Sequence, residues 1–336
     1  MNIHNKDDMR YDTILGYVKA AFELFRLRQF AYPFDLDDKY SLAATILNNI
    51  KEEENIATQR APITAEMFAE MLKASSKSDF LSLEQTITDL SILGRYLGPR
   101  LAEYGQKSQK RAEYHTYPSG TKVLKAWSRN DFLFLDKTGK RVTADKLEYI
   151  DIIAKMTVTF KIQKNRRNGE TKEILADTTN IAMCPVRAAF KIANRSIVLN
   201  QHADLPVCVY KNTKSETIYL TGSTVSSYFR QMAKKAHPSM DKSEQKRFSA
   251  HSLRVTAAVL LHEHGCDGDY IKIQLRWLGD SYRVYLRSTQ TILKRHTDAL
   301  SKSAASSIAL ANIEEHISHT APQISEETMG TYHDIQ

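Results

Sequence analysis

Residues 250–289 read AHSLRVTAAVLLHEHGCDGDYIKIQLRWLGDSYRVYLRST, and the rest of the chain is organised around them. The stretch opens on His251-Ser252-Leu253-Arg254 and runs through the apolar segment Val255 to Leu261. It turns at Gly265-Cys266-Asp267-Gly268 and closes on Arg276-Trp277 and Tyr285. A histidine and an arginine three apart share one face of a helix. At a helix start that face also carries free backbone N–H groups and the positive end of the dipole, which suits an anion and most naturally a phosphate. A tyrosine hydroxyl held against activated phosphorus can act as a nucleophile. A basic clamp followed by a tyrosine therefore points to covalent phosphoryl chemistry on a nucleic acid.

The ordered set resembles the C-terminal motif block of the tyrosine recombinases, the phage-integrase family. His251-x-x-Arg254 is similar to that family's His-x-x-Arg box. Trp277 lies 23 positions beyond Arg254, where the family places a His or Trp, and Tyr285 lies 8 beyond Trp277, one fewer than the commonest spacing. The pattern is most similar to recombinases of eukaryotic mobile elements, such as cryptons and tyrosine-recombinase retrotransposons. Tyr282 is a competing tyrosine that sits too close to Trp277 for the pattern. Upstream, Leu97-Gly98-Pro99-Arg100-Leu101-Ala102-Glu103 resembles the first arginine box, a Gly-x-Arg-x-x-Glu arrangement with Pro99 in its middle. An Arg just past a helix break can be held rigid by a carboxylate three residues on.

Bulk properties agree with a globular, nucleic-acid-facing protein. At 336 residues and 42% hydrophobic content the chain can bury a substantial core and hold two domains. The formal charge of +8 favours an anionic partner. The segment Ser301–Gln336 holds Lys302 against Glu314, Glu315, Glu326, Glu327 and Asp334, so residues 1–300 carry +12. Cys184, Cys208 and Cys266 are far apart and form no zinc spacing. The odd count and the lack of a signal peptide fit an intracellular compartment, the nucleus in a eukaryotic host. No apolar run approaches membrane-span length.

Read in order, the chain starts with helical periodicity over Tyr11 to Phe30 (Ile14, Leu15, Val18, Phe22, Phe25) and over Lys39 to Lys51 (Leu42, Ile46, Leu47, Ile50). Lys51-Glu52-Glu53-Glu54 leads into a linker, with a domain boundary near residue 60. A helix opens at Ile63-Thr64. Ser82-x-x-Gln85 matches a capping box before Ile87, Leu90 and Leu93, and that helix should stop at Gly98-Pro99. Phe132-Leu133-Phe134-Leu135 meets a turn at Thr138-Gly139. Met156, Val158, Phe160 and Ile162 alternate with polar residues, and Asn168-Gly169 signals a hairpin turn before Thr171 to Leu175. This hairpin carries Lys161, Lys164, Arg166, Arg167 and Lys172 against the single acid Glu170. Pro185 fits the first turn of a helix, and Ser223 to Ala236 reads as another. His262-Glu263-His264 has no useful metal geometry, because residues two apart on a helix point apart.

The resemblance implies a mainly α fold with a small antiparallel β-sheet. Residues 1–60 would be a partial or truncated helical core-binding segment, since that domain normally has more helices. Residues 61–300 would be the tyrosine recombinase catalytic domain. Residues 301–336 would be the end of a C-terminal helix, spanning Thr291 to Ile313, and an acidic disordered tail. The implied activity is site-specific cutting and rejoining of duplex DNA through a 3′-phosphotyrosine, without metal or other cofactor, by a homo-oligomer on DNA. Arg100 and Arg254 would clamp the phosphate, His251 would help deprotonate Tyr285 or bond a phosphate oxygen, and Trp277 would donate its indole N–H. The family's catalytic lysine sits on a β-hairpin, where Lys164 is the best positional match and Lys161 and Lys172 are alternatives. A catalytically inactive DNA-binding remnant and a type IB topoisomerase are the competing functions.

Overall fold

The structure is a computed structural model that describes residues 11–35, 37–38, 40–53, 59–286 and 294. The expected frayed start Met1–Arg10 and the acidic tail lie outside the described residues, as does the helix expected over Thr291 to Ile313 apart from Lys294. The chain divides into two compact units, Met1–Thr58 and Gln59–Gln336.

The first unit holds α1 (Tyr11–Leu27) and α2 (Leu42–Glu53). The half-buried positions of α1 include Ile14, Leu15, Val18, Phe22 and Phe25, the stripe that the period of the sequence predicts. Beyond its end, Tyr32 stacks on Phe22 with ring centroids 5.0 Å apart. The buried face of α2 differs from the expected one. Ala44 and Leu47 are buried with Ile50 beside them, while Leu42 and Ile46 face solvent. The helix starts at Leu42.

The second unit contains α3 (Ala65–Ser76), α4 (Leu83–Leu97), α5 (Leu101–Tyr104), β1 (Tyr114–Thr116), β2 (Lys122–Leu124), β3 (Phe132–Asp136), β4 (Arg141–Val142), β5 (Ile153–Phe160) and β6 (Glu170–Leu175). It continues with α6 (Pro185–Val198), β7 (Val209–Lys211), β8 (Thr217–Tyr219), α7 (Gly222–Ala236), α8 (Lys242–Gln245), α9 (Ser252–Glu263), α10 (Gly268–Leu275) and a 3-10 turn at Asp280–Tyr285. The protein is thus mainly helical, with one four-stranded antiparallel sheet ordered β4-β3-β5-β6 and two short hairpins, β1-β2 and β7-β8. Among the described residues no helix is long and apolar enough to cross a membrane.

The central element is α4. Its N-cap Ser82 accepts from the Gln85 N–H, but the Gln85 side chain donates to the Ser75 carbonyl, so only half of the expected capping box forms. Every residue from Thr86 to Gly94 is buried, because α3, α6 and α9 all pack on this helix. Its polar residues survive burial through partners. Ser91 Oγ donates to the Ile87 carbonyl at 2.7 Å, and Asp89 pairs with buried Arg195 at 2.5 Å. Gly94 lets α9 approach closely, since a Cβ there would meet Leu253 Cδ2 at 3.0 Å. Gly98 then ends the helix in the left-handed region at φ 51°, as expected before Pro99.

The β-hairpin expected around Asn168-Gly169 forms between β5 and β6. Phe160 pairs with Glu170, so the connection runs over residues 161–169 and Ile162 lies outside the strand. Gln163 folds back into this loop: its N–H donates to Asn168 Oδ1 at 2.8 Å and its amide to the Arg167 carbonyl at 2.5 Å. Asn168-Gly169 therefore closes this loop, with Gly169 at φ 80° returning its N–H to the Phe160 carbonyl.

Candidate functional site

The site forms at the C-terminal end of α4. The last carbonyls of a helix have no intrahelical donor and lie at the negative end of the dipole. Here two arginines far along the chain fill that role. Arg254 Nη1 donates to the Gly98 carbonyl at 2.6 Å, and Arg276 Nη1 to the Leu97 carbonyl at 3.0 Å. Each guanidinium lies against an aromatic face, Arg254 4.1 Å from the Trp277 ring centroid and Arg276 3.5 Å from that of Phe160.

Arg100 arrives from the residue after Pro99, as the N-cap of α5. Glu103 grips it twice, taking the Arg100 N–H at 2.9 Å and its Nη1 at 3.1 Å. Arg100 Nη2 donates to the Arg276 carbonyl at 3.1 Å. Sequence reading placed Glu103 here correctly. It did not find Arg276, which pairs with the same carboxylate at 2.8 Å, because no spacing rule marks a residue that matters through a helix C-cap.

His251 and Tyr285 meet directly. His251 Nε2 and Tyr285 Oη are 2.9 Å apart, and the Trp277 and Tyr285 ring centroids are 6.2 Å apart. Tyr282 turns the other way. It is buried, its ring centroid lies 6.2 Å from that of Trp277, and its hydroxyl comes close to where a Cβ on Gly268 would stand. Both tyrosines sit on the 3-10 turn, whose rise of ~2.0 Å per residue sets them about 6 Å apart along its axis. Only Tyr285 reaches the histidine.

Three of the helix-start amides are engaged within the chain. The His251 N–H donates to Ser249 Oγ, the Ser252 N–H to the Ser249 carbonyl, and the Arg254 N–H to the His251 carbonyl. Donors on side chains remain as well. Arg254 Nη2 and Trp277 Nε1 are buried and have no hydrogen-bond acceptor. Arg254 also has no ion pair among the described residues. Such donors are costly to bury alone, and an anion would satisfy both.

Charge and burial tune the pair. Burial first, and then Arg254, Arg60 and Arg100, hold the His251 imidazole below the ordinary histidine range, so its neutral form prevails. Burial pushes the Tyr285 phenol up, with Arg254 and Arg60 pulling against it. Burial and the neighbouring Arg100 lower Arg254, with Glu103 pulling the other way. Arg60, read in sequence only as part of a linker, is thus a further cation of the site. It anchors its guanidinium on the Lys246 carbonyl at 3.0 Å. A cleft of about 890 Å3 opens beside His251, with Arg60, Lys107 and Arg230 on its walls.

The hairpin loop approaches the same centre. Asn165 Nδ2 donates to the Arg276 carbonyl at 3.4 Å. Of the three candidate lysines, Lys161 pairs with Asp131 at 2.6 Å and bonds Ser128, and Lys172 bonds the Ile273 carbonyl at 2.9 Å and pairs with Glu170. Lys164, adjacent to Asn165, is exposed and has no such tie among the described residues. The structure therefore brings Arg100, His251, Arg254, Trp277 and Tyr285 together and leaves Lys164 on the loop at their edge.

No family model matches the sequence, and neither does any curated protein. Among solved structures, the chain is similar to the XerH site-specific recombinase bound to palindromic difH substrate. Identity is 14% over 87% of this chain and 68% of that one, with a TM-score of 0.48. It is also similar to the Tn1549 transposon integrase in complex with transposon right end DNA, at 12% identity, 88% and 81% coverage and a TM-score of 0.45. A lambda integrase dimer bound to a COC′ core site follows, at 13% identity, 86% and 84% coverage and a TM-score of 0.40.

Proposed function

We propose that this protein is a tyrosine recombinase that cuts and rejoins duplex DNA through a 3′-phosphotyrosine intermediate. The observation that carries the reading is the 2.9 Å contact of His251 with Tyr285, set beside Arg254 Nη2 and Trp277 Nε1, two buried donors without an acceptor. That combination is a nucleophile, a base for its proton and an oxyanion clamp at one point.

The steps follow from these groups. His251 Nε2 takes the proton of Tyr285 as Tyr285 Oη bonds to phosphorus, and the P–O5′ bond breaks. Lys164 supplies the proton that the departing 5′ oxygen takes up. The tyrosine ester keeps the energy of the broken phosphodiester, so the reverse step, with a 5′ hydroxyl of the same or another strand, restores the backbone. Arg100, Arg254 and the Trp277 N–H hold the non-bridging oxygens, where the transition state gathers negative charge. The cleft beside His251 and its basic walls support duplex DNA as the substrate. Residues 1–60 would grip the same duplex as a helical core-binding segment, and several copies would act together.

The test uses a nicked duplex, with sequence selected from a random pool by binding to this protein, so that cleavage releases a short strand and traps the ester. A denaturing gel should show a covalent protein–DNA adduct. A protein that binds the duplex and forms none would be a DNA-binding protein without this chemistry.

A further inference from the structure

We infer that Arg276 is a positioning residue for strand cleavage, one that fixes Arg100 and Trp277 against the reacting phosphate. This rests on the recombinase reading. Arg276 caps α10 in the left-handed region, at φ 57° and ψ 46°. Glycine or asparagine takes that conformation most readily, and a long side chain there is disfavoured. Yet Arg276 is 0% exposed and its side chain is committed inward. Nη2 pairs with Glu103 Oε2 at 2.8 Å, Nη1 donates to the Leu97 carbonyl at 3.0 Å, and the guanidinium lies on the Phe160 ring.

Both ends of the Arg100 fork depend on it. Arg100 Nη1 binds Glu103 Oε1, and Arg276 holds the other oxygen of that carboxylate. Arg100 Nη2 binds the Arg276 carbonyl itself, and Asn165 of the hairpin loop donates to the same oxygen. The next residue is Trp277, whose ring carries Arg254. One strained residue thus links the first arginine, the indole and the hairpin that bears Lys164. Ending a helix needs none of this, since glycine would do so without strain. The buried charge makes sense as a brace that stops Glu103 from neutralising Arg100 in a different pose.

Three proteins decide the matter on the nicked duplex described above: wild type, Arg276→Gly and Arg276→Lys. Glycine keeps the backbone turn and removes the brace. Lysine keeps a charge for Glu103 but cannot also fork to the Leu97 carbonyl. The account expects DNA affinity within about twofold of wild type. The single-turnover rate at saturating DNA should fall about 100-fold for glycine, the scale of a misplacement of about 1 Å, with partial recovery for lysine. The acid limb of the pH profile should not move, because His251 and Tyr285 remain paired. If Arg276→Gly does not fold, a rate loss of about tenfold or more in Arg276→Lys with unchanged binding still supports the inference. Wild-type rates in the variants, or binding and cleavage lost in parallel, would overturn it. A wild-type protein that forms no adduct would instead remove the recombinase reading, and this inference with it.

Discussion

Arg254 is buried at 2% exposure, holds the Gly98 carbonyl with one nitrogen and leaves the other without an acceptor. A phosphate oxygen would supply the missing partner, and the transition state would bind it more strongly than the ground state. Arg254→Ala and Arg100→Ala should each abolish adduct formation while DNA binding largely persists, as gel shifts beside cleavage assays would show. Equal loss of both would contradict the assignment. Arg254→Ala also strands the Gly98 carbonyl, at about 1–3 kcal/mol of stability, so a thermal melt should accompany the assay. His251 gives a pH signature. Its imidazole must be neutral to take the Tyr285 proton, and burial with three nearby arginines disfavours its charged form. The acid limb of kcat/KM, which reports the free enzyme, should therefore fall below 6.5, the ordinary histidine value. A midpoint above 6.5 would count against His251 as the base. At this scale the sequence was informative wherever spacing encodes a shared site, as with His251, Arg254 and Tyr285. It was silent on Arg276 and Arg60, whose roles come from contacts across more than a hundred residues.

In the proposed mechanism the proton donor belongs to the β5-β6 hairpin. Period-two alternation and the Asn-Gly signal revealed the hairpin, whose connection runs over residues 161–169. The loop is stabilised by Gln163 turning inward to bond the backbone, which no local pattern announces. The lysines of the hairpin have different surroundings. Lys161 compensates Asp131, which is 5% exposed, so Lys161→Met should cost roughly 2 kcal/mol of stability by losing a bond between charged groups. Lys164→Ala should leave stability unchanged in urea titration and slow cleavage. A duplex with sulfur in place of the bridging 5′ oxygen should restore that rate, because a thiolate leaves without a proton. If sulfur rescues Lys161→Met instead, the proton donor is Lys161. Helix α2 shows a related limit of sequence reading: the small residue Ala44, not the bulky Ile46, marks its buried side.

Across the whole molecule, the mainly helical fold with small antiparallel sheets was legible from periodicity, turn residues and caps. The depth of α4 was not. Its sequence LEQTITDLSILGRYL mixes polar with apolar residues, and only the packing of three helices around it explains why Thr86, Thr88 and Ser91 are buried. That depth fixes the helix end on which Arg254 and Arg276 are anchored. The charge of +12 on residues 1–300 bears on association. Affinity for duplex DNA should fall steeply between about 50 and 200 mM salt, with a log–log slope near −0.9 for each phosphate neutralised. A flat salt dependence would argue against a surface that follows the DNA backbone.

The central claim is that Tyr285 becomes joined to DNA. The most direct measurement is peptide mapping of the adduct trapped on the nicked duplex, by mass spectrometry after nuclease and protease digestion, with Tyr285→Phe and Tyr282→Phe run alongside. The account predicts a nucleotide remnant on Tyr285, no adduct from Tyr285→Phe and a retained adduct from Tyr282→Phe. A remnant on Tyr282, or an adduct that survives Tyr285→Phe, would contradict it.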